Sequence, residues 1–207
     1  LNANTRAYAS IYSSTKLQST QLSGEHLLGD TNGIRWNWSG SYSKTERIMP
    51  DNRRLFYSQG DDSLYRAYIP IGNASPNYAG RFFSTHNESI KSFNTNFTIP
   101  FKVNDIKQNI KVGALLQDKE RDFSARVLGY IIFKVDSFYM RNSDSILMLP
   151  RNQLLDTSNI SKGGFRLDEK TNGTDAYTAT GNLSAYYMMF DNTFFDGIMR
   201  AVWGVRN

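Results

Sequence analysis

The sequence predicts an all-β protein, an antiparallel transmembrane β-barrel segment with long loops at one end of its strands and short turns at the other. Three observations predict it. Several segments alternate between apolar and polar residues, with the period of two that is typical of β-strands. The segments are joined by connections that are alternately short and long. The chain is rich in aromatic residues, at 14%, yet polar on average, with a mean hydropathy of −0.50.

Residues 33–45 give the clearest strand. Two tryptophans and a tyrosine lie in its apolar row, and the opposite row carries hydroxyl, amide and guanidinium groups. The apolar row is Ile34, Trp36, Trp38 and Tyr42, and the polar row is Arg35, Asn37, Ser39, Ser41 and Ser43. An outer-membrane barrel strand has this chemistry, because aromatic and apolar groups face lipid and polar groups face a wet lumen.

Four further segments alternate: 91–101, 109–119, 176–190 and 194–206. We expect their apolar rows to face lipid with that of the first strand. The rows are Phe93, Thr95, Phe97, Ile99 and Phe101; Ile110, Val112, Ala114 and Leu116; Tyr177, Ala179, Leu183, Ala185, Tyr187 and Met189; and Phe195, Met199, Ala201, Trp203 and Val205. The first 28 residues predict one or two strands, with 15–28 the better candidate.

The connections provide independent support for a barrel. Those at 29–33, 103–108 and 191–196 are short, whereas 46–88 and 131–175 are predicted to be long polar loops. Outer-membrane barrels combine short periplasmic turns with long extracellular loops. This pattern places the short turns in the periplasm and the long loops outside the cell.

Composition excludes several other classes. No run approaches the roughly 20 apolar residues that a transmembrane helix needs. The chain has no cysteine, which excludes disulfide scaffolds and thiolate metal sites. Its formal net charge is +5, but the basic residues are scattered, so no nucleic-acid partner is predicted.

The order of several motifs resembles the barrel of TonB-dependent outer-membrane receptors of the Bacteroidetes type. The residues that carry the resemblance are LQSTQLSGEHLL (17–28), RWNWSGSYSKTERIMPDNRRLFY (35–57), NIKVGALLQDKERDFSARVLGY (109–130) and GGFRLDEKTNGTDAYTATGNLSAYYMMF (163–190), followed by WGVR (203–206). The resemblance covers most of the chain. It identifies residues 1–207 as part of the barrel domain of such a receptor.

The resemblance implies a 22-stranded barrel plugged by an N-terminal domain, which imports a scarce ligand across the cell outer membrane. It further implies energy coupling through the TonB system, contact with outer-membrane lipid and lipopolysaccharide, and a surface lipoprotein as a candidate partner. The plug, the TonB-binding box and the final strand lie outside this sequence. Together with the first residue, Leu1, and an alternating run at the end, this leads us to expect an interior fragment.

No catalytic, cofactor or metal site is predicted. The two histidines, His26 and His86, lack a second ligand-type residue at metal-binding spacing and leave little from which to build a serine triad. Two other hypotheses stay open. One is a soluble all-β ligand-binding or adhesin module with its apolar faces inward, and the other is an outer-membrane enzyme.

Ligand specificity is expected in 46–88 and 131–175, because binding groups sit in long loops on a rigid scaffold. Cationic donors and aromatic rings are interleaved there and suit a polar or anionic metal chelate, glycan or peptide. The candidate ligand-binding residues are Arg53, Arg54, Tyr57, Tyr65, Tyr68 and Arg81. Packing is the expected role of most loop aromatics.

Two structural expectations follow. Trp36, Trp38, Phe93 and Phe97 should be exposed, with Asn37 and Asn94 pointing inside. A charge at a lipid-facing midplane position such as Ala201→Arg should cost roughly 2–4 kcal/mol, and far less at a lumen site. With only six or seven strands, this chain should be unable to close by itself, because the smallest usual barrel has about eight.

Overall fold

A computed structural model describes residues 4–30, 32–103, 106–133 and 143–207, and these form an all-β antiparallel sheet. The strands are β1 (Thr5–Ser10), β2 (Ser14–Leu28), β3 (Ile34–Gln59), β4 (Tyr65–Ala67), β5 (Ala79–Val103), β6 (Ile106–Ile132), β7 (Phe165–Glu169), β8 (Ala176–Phe194) and β9 (Met199–Arg206). Two short helices, α1 (Ser143–Leu147) and α2 (Arg151–Leu154), precede β7. No helix in the described part of the chain is long and apolar enough to span a membrane.

The sheet is open rather than a closed barrel. Its strands follow the order β1-β3-β5-β6-β8-β9, with β2 and β4 also paired to β3 and β7 paired to β6. The expectation that this chain does not close by itself is therefore confirmed. The expected strand count of six or seven was too low, because the described residues form nine strands and two of the short ones lie inside segments expected to be loops.

The predicted extents of the two long loops were wrong. Strand β3 continues to Gln59 and β5 begins at Ala79, so most of 46–88 is strand, and β4 lies between them. The segment 131–175 contains α1, α2 and β7; its residues 134–142 lie outside the described part of the chain. Polar residues occupy both faces of the extended strands, so alternation of hydrophobicity does not reveal them.

The short connections are confirmed where they are described. Strand β2 ends at Leu28 and β3 begins at Ile34, and a single turn of 3₁₀-helix, Phe195–Gly197, joins β8 to β9. Gly29 and Gly197 have φ angles of 97° and 95°, which glycine adopts without steric cost. The expected strand at 15–28 is likewise confirmed as β2.

The chain divides into two compact units. The first unit comprises Leu1–Thr15, Glu46–His86 and Phe123–Tyr177, and the second comprises Lys16–Thr45, Asn87–Asp122 and Thr178–Asn207. The first contains the main apolar core: Leu55, Tyr57, Ala67, Ile69, Ala79, Tyr130, Ile132, Leu154 and Phe165. Phe165 of β7 and Leu154 of α2 have no solvent exposure, so α2 packs against the part of the sheet that contains β7.

In the second unit, side-chain contacts identify the two faces of the sheet. The Trp36 Nε1 donates to the Thr95 hydroxyl at 2.9 Å, and the Trp36 ring stacks on Phe97 at 5.9 Å, so the apolar rows of β3 and β5 share one face. The polar face carries the hydrogen bond from the Asn94 amide to the Ser39 hydroxyl at 3.2 Å. Both rows were assigned correctly from the sequence.

Exposure separates these faces less sharply than expected. Phe93 is 43% exposed, as expected, but Trp36, Trp38 and Phe97 are only half-exposed because they cover one another and their neighbours. Asn37 and Asn94 are also of intermediate exposure. Mutual contacts, rather than exposure, therefore identify the faces.

The row assigned to β8 was wrong. The Tyr187 hydroxyl donates to the side-chain amide oxygen of Asn96 at 2.9 Å, which places Tyr187 on the polar face. Asp191 lies four residues further along the same row. It is 6% exposed, and its carboxylate lies 4.0 Å from the Lys111 ammonium. The opposite row, which includes Phe190, pairs with the apolar row of β9 through Trp203. Residues 186–190 are apolar on both faces, so a period of two cannot choose between them.

The corrected apolar row of β8 is Tyr186, Met188 and Phe190. Tyr186 is 54% exposed and Met188 is 44% exposed, whereas Ala185 on the other face is 8% exposed. Strand β9 continues this face, since Phe190 stacks on Trp203 with 4.4 Å between ring centroids. One face of the second unit is thus apolar and exposed along β3, β5, β6, β8 and β9.

Candidate functional site: an arginine-lined cleft in the first unit

The pairing of β1 with β3 determines which side chains meet in the first unit. Tyr8 lies opposite Leu55, and Ser10 lies opposite Arg53, so these four residues share one face of the sheet. Arg54 lies opposite Ala9 and belongs to the other face. Two adjacent arginines of the sequence are therefore directed to opposite sides.

A cleft of about 610 Å³ opens over the first of these faces. Its wall combines guanidinium groups, an aromatic ring, hydroxyl and amide groups and a few aliphatic side chains. The lining residues are Tyr8, Ala9, Ser10, Arg53, Arg54, Leu55, Gly80, Arg81, Tyr130, Arg151, Asn152, Leu155, Thr157 and Ile160. This volume lies within the range of roughly 300–1,000 Å³ that small-molecule sites occupy.

Asp51 holds two of the arginines. Arg81 binds its carboxylate through two hydrogen bonds, from Nε at 2.9 Å and from Nη2 at 2.8 Å. Arg53 donates from Nε to the same carboxylate at 2.7 Å. The Arg81 hydrogen bonds, followed in effect by those of Arg53 and opposed by burial, lower the pKa of Asp51 below its usual value. Asp51 therefore keeps its negative charge and orients both guanidinium groups.

Arg151 reaches the cleft from a different part of the chain. The buried hydroxyl of Tyr57 donates to the Leu149 carbonyl at 2.9 Å and thereby ties the segment before α2 to strand β3. Burial raises the pKa of Tyr57 to about 12, which keeps this hydroxyl protonated as a donor. The Arg151 guanidinium lies 5.4 Å from the centre of the Tyr8 ring, within cation–π range.

The cleft has a net positive charge. Arg53, Arg81 and Arg151 present three guanidinium groups on its lining, and Asp51 is the carboxylate bonded to two of them. No carboxylate of the described residues lies within ion-pair distance of Arg151. Guanidinium groups present paired donors that match carboxylate and phosphate oxygens. The arrangement is suited to binding an anion.

The structure brings together only some of the six residues expected to bind ligand. Arg53 and Arg81 lie in the cleft, and Arg54 contributes to its wall but bonds Asn77 at 3.3 Å through its side chain. Tyr57 is 5% exposed and packs in the apolar core, and it also contributes to the lining of a smaller cleft.

The remaining two tyrosines lie elsewhere in the first unit. The Arg6 guanidinium covers the Tyr65 ring at 3.7 Å, in a smaller cleft of about 380 Å³ that also contains Tyr8 and Arg151. Tyr68 packs against Tyr78, with 4.5 Å between ring centroids.

Sequence reasoning missed three residues that define the cleft: Tyr8, Asp51 and Arg151. Asp51 and Arg53 carried a usable signal, because residues two apart in a strand lie on the same face. Tyr8 becomes significant only through the pairing of β1 with β3. Arg151 carried no local signal, since its position depends on a hydrogen bond between Tyr57 and Leu149, 92 residues apart.

The histidines do not form a metal centre. His26 accepts a hydrogen bond from Trp38 Nε1 at 3.1 Å, and the His86 ring packs 6.5 Å from that of Phe123. Within the described ranges, no group of three or more His, Cys, Asp or Glu residues could hold a metal ion.

Comparisons with protein-family models, with curated proteins and with solved structures found no match to this chain. The described structure is an all-β protein, with an open antiparallel sheet and an arginine-lined cleft.

Proposed function

We propose that this chain is part of the barrel of an outer-membrane receptor of the TonB-dependent type, which imports a scarce ligand such as a metal chelate, a glycan or a peptide. Catalysis is not part of this proposal. The implied plug domain would connect the barrel to the TonB energy-transducing system. The observation that carries the proposal is a continuous apolar band on the exposed face of the second unit.

The band has similar limits on three neighbouring strands. It consists of every second residue of 34–42 in β3, 93–101 in β5 and 110–116 in β6. The next residue in each of these rows is charged, namely Lys44, Lys91 and Asp118. Contacts from Glu88 to Arg121 and from Thr85 to Ser124 set a register in which Lys91 lies opposite Asp118. A membrane-spanning β-strand needs about 9–11 residues, so bands of seven to nine residues with aligned charged ends fit the hydrocarbon layer.

Aromatic residues cluster toward the short turns on this face. Trp36 and Trp38 follow the turn at 29–33, Phe97 and Phe101 precede the turn after β5, and Trp203 follows the turn at Phe195–Gly197. Aromatic girdles of this kind occupy the interfaces between the bilayer and water. Their position supports an interface between the bilayer and water at the end that carries the short turns.

The exposed apolar area disfavours a soluble module. Phe93, Leu116 and Trp203 are 43%, 45% and 59% exposed within one contiguous face. Soluble monomers rarely expose apolar patches larger than a few hundred Å². A soluble all-β module would have to cover this face with further structure.

Fractionation of cells that make the full protein tests the proposal. We expect the protein in the outer-membrane fraction, resistant to extraction with high salt and released by detergent. Recovery of folded protein in buffer without detergent would contradict the membrane assignment and favour the soluble all-β module.

A further inference from the structure

We infer that the arginine-lined cleft binds a small ligand that carries at least two oxyanion groups, such as carboxylates, phosphates or sulfates. The biological role of this site rests on the proposed receptor function, but the binding itself does not require membrane location. The inference deepens the expectation of a polar or anionic ligand by naming the chemistry, the site and the residues.

Charge is the first argument. The lining contains four arginines, but Arg54 belongs to the other face of the sheet and its guanidinium bonds Asn77. The other three guanidinium groups and the carboxylate bonded to two of them leave a net charge of +2. A ligand with two negative charges would neutralise that excess. A single carboxylate or an uncharged molecule would leave at least one cation without compensation.

Preorganisation is the second argument. Arg81 is bound in bidentate fashion to Asp51 and is 26% exposed, so its guanidinium is held in place before a ligand arrives. Arg53 shares Asp51 but is 64% exposed, which leaves donors available to a ligand. Little side-chain entropy would be lost on binding at Arg81, and such preorganisation increases affinity.

Shape is the third argument. The Tyr8 ring, with Arg151 at 5.4 Å, gives the cleft a flat aromatic surface beside a cation. Ser10, Asn152 and Thr157 add hydroxyl and amide groups along the lining. A ligand with two oxyanion groups on a small ring or chain would contact the arginines at its charged ends and Tyr8 along its body.

Calorimetric titration of the full protein, folded in detergent, tests the inference. The probes are pyrophosphate, citrate and a disulfated disaccharide, with the same disaccharide lacking sulfate as the uncharged control. We expect the multiply charged probes to bind and the affinity to fall at least tenfold between 0.05 and 0.5 M NaCl, because salt screens charge interactions. Equal binding of the uncharged disaccharide, or no binding of any charged probe, would overturn the inference.

Variants assign the binding to this cleft. Arg151→Gln and Arg53→Gln should each weaken binding of the charged probes about tenfold or more, since charge-assisted hydrogen bonds are lost. Arg126→Gln is the matched control, because Arg126 is an exposed arginine of the same unit, paired with Glu169 outside the cleft. Unchanged affinity in both cleft variants would contradict the assignment.

Asp51→Asn provides a test in the opposite direction. This substitution removes the negative charge that offsets the guanidinium groups. The side-chain amide oxygen that replaces the carboxylate can still accept a hydrogen bond from Arg81 and keep it oriented, so affinity for the charged probes should rise several-fold. Unfolding curves would confirm that the variant is folded. A folded Asp51→Asn protein with lower affinity would contradict the inference.

A second arm identifies the source of the oxyanions. Vesicles that contain lipid A present phosphates from a lipid headgroup, whereas citrate and pyrophosphate are soluble. Tighter binding to the vesicles, lost in Arg151→Gln, would identify lipopolysaccharide phosphate as the ligand, and preference for the soluble probes would identify a free anion. Failure of the membrane fractionation test would refute the receptor function without affecting these titrations.

Discussion

Arg53 and Arg54 are adjacent in the chain, yet β3 directs them to different faces and different partners. Arg53 bonds Asp51 beside the cleft, and Arg54 bonds Asn77. The sequence identified both as candidate ligand-binding residues because composition does not distinguish faces outside an alternating run. At the residue scale, the pairing of strands determines which chemistry is available to a ligand.

The Tyr57 hydroxyl should contribute measurably to stability. Tyr57→Phe removes a buried hydrogen bond to the Leu149 carbonyl. We expect the free energy of unfolding to fall by about 1 kcal/mol, the typical net worth of such a bond. Tyr68→Phe is the control, because Tyr68 is 49% exposed and its change should stay within about 0.5 kcal/mol. Denaturant unfolding of both variants measures the difference, and equal losses would contradict this role of Tyr57.

The Asp51 carboxylate should make stability depend on pH. Hydrogen bonds, chiefly from Arg81, hold the pKa of this carboxyl below its usual value in the folded protein. A lowered pKa stabilises the folded state above the unfolded pKa, and this stabilisation is lost as the pH falls through the folded pKa. Below about pH 4, the unfolding free energy of the wild-type protein should therefore decrease more steeply than that of Asp51→Asn. Parallel curves for the two proteins between pH 5 and pH 3 would contradict this account.

Individual strands show what alternation can and cannot predict. The rows of β3 and β5 were predictable because each face has one kind of chemistry. The row of β8 was not, since 186–190 is apolar throughout, and only the Tyr187–Asn96 hydrogen bond assigns it. The outer halves of β3, β5 and β6 were not predictable either, because their two faces do not differ consistently in polarity. The pairing of β3 with β1 and of β6 with β7 identifies two of them as strands.

Two strands place glycine against a large ring on the neighbouring strand. A Cβ at Gly24 would meet the Trp38 indole, and a Cβ at Gly113 would collide with Tyr187 and Asn96. Glycine in a strand often marks such a close approach. These two positions therefore explain why glycine interrupts otherwise regular strands.

Gly113→Ala should destabilise the second unit. The added methyl group must displace Tyr187 or Asn96, and overpacking of this kind costs roughly 1–3 kcal/mol. Gly181→Ala is the matched control, since nothing lies within 4 Å of a Cβ there and no loss is expected. Combining Gly113→Ala with Tyr187→Ala should remove the contact with the ring and leave only that with Asn96, so that the two costs are less than additive. Strict additivity in denaturant unfolding would show that the contact is absent.

The whole molecule combines an open sheet with one exposed apolar face. The antiparallel all-β class and the short turns were predictable, because each depends on local pattern. Failure to close was predicted from a strand count that is lower than the nine strands of the described residues. The arginine cleft was not, because it joins β1, β3, β5 and the segment around α2. An open sheet leaves backbone groups of its edge strands unpaired, which is costly in lipid.

Charge introduced on the two faces should have unequal effects in a membrane. Ala114 belongs to the apolar row of β6, and its neighbour Leu115 lies on the polar face. Ala114→Arg should cost roughly 2–4 kcal/mol, and Leu115→Arg far less. Ala201 lies only four residues beyond Gly197, nearer the turn, so Ala201→Arg should cost less than Ala114→Arg. Equilibrium unfolding from lipid vesicles compares the three, and equal costs would contradict the proposed sidedness.

Fluorescence quenching by brominated lipids tests the membrane assignment most directly. Single cysteines from residue 112 to 117 can each carry one probe on the full protein reconstituted in bilayers, and residues 1–207 contribute no other cysteine. The account predicts strong quenching at positions 112, 114 and 116 and weak quenching at 113, 115 and 117. Uniformly weak quenching, or quenching at the odd-numbered positions, would contradict it.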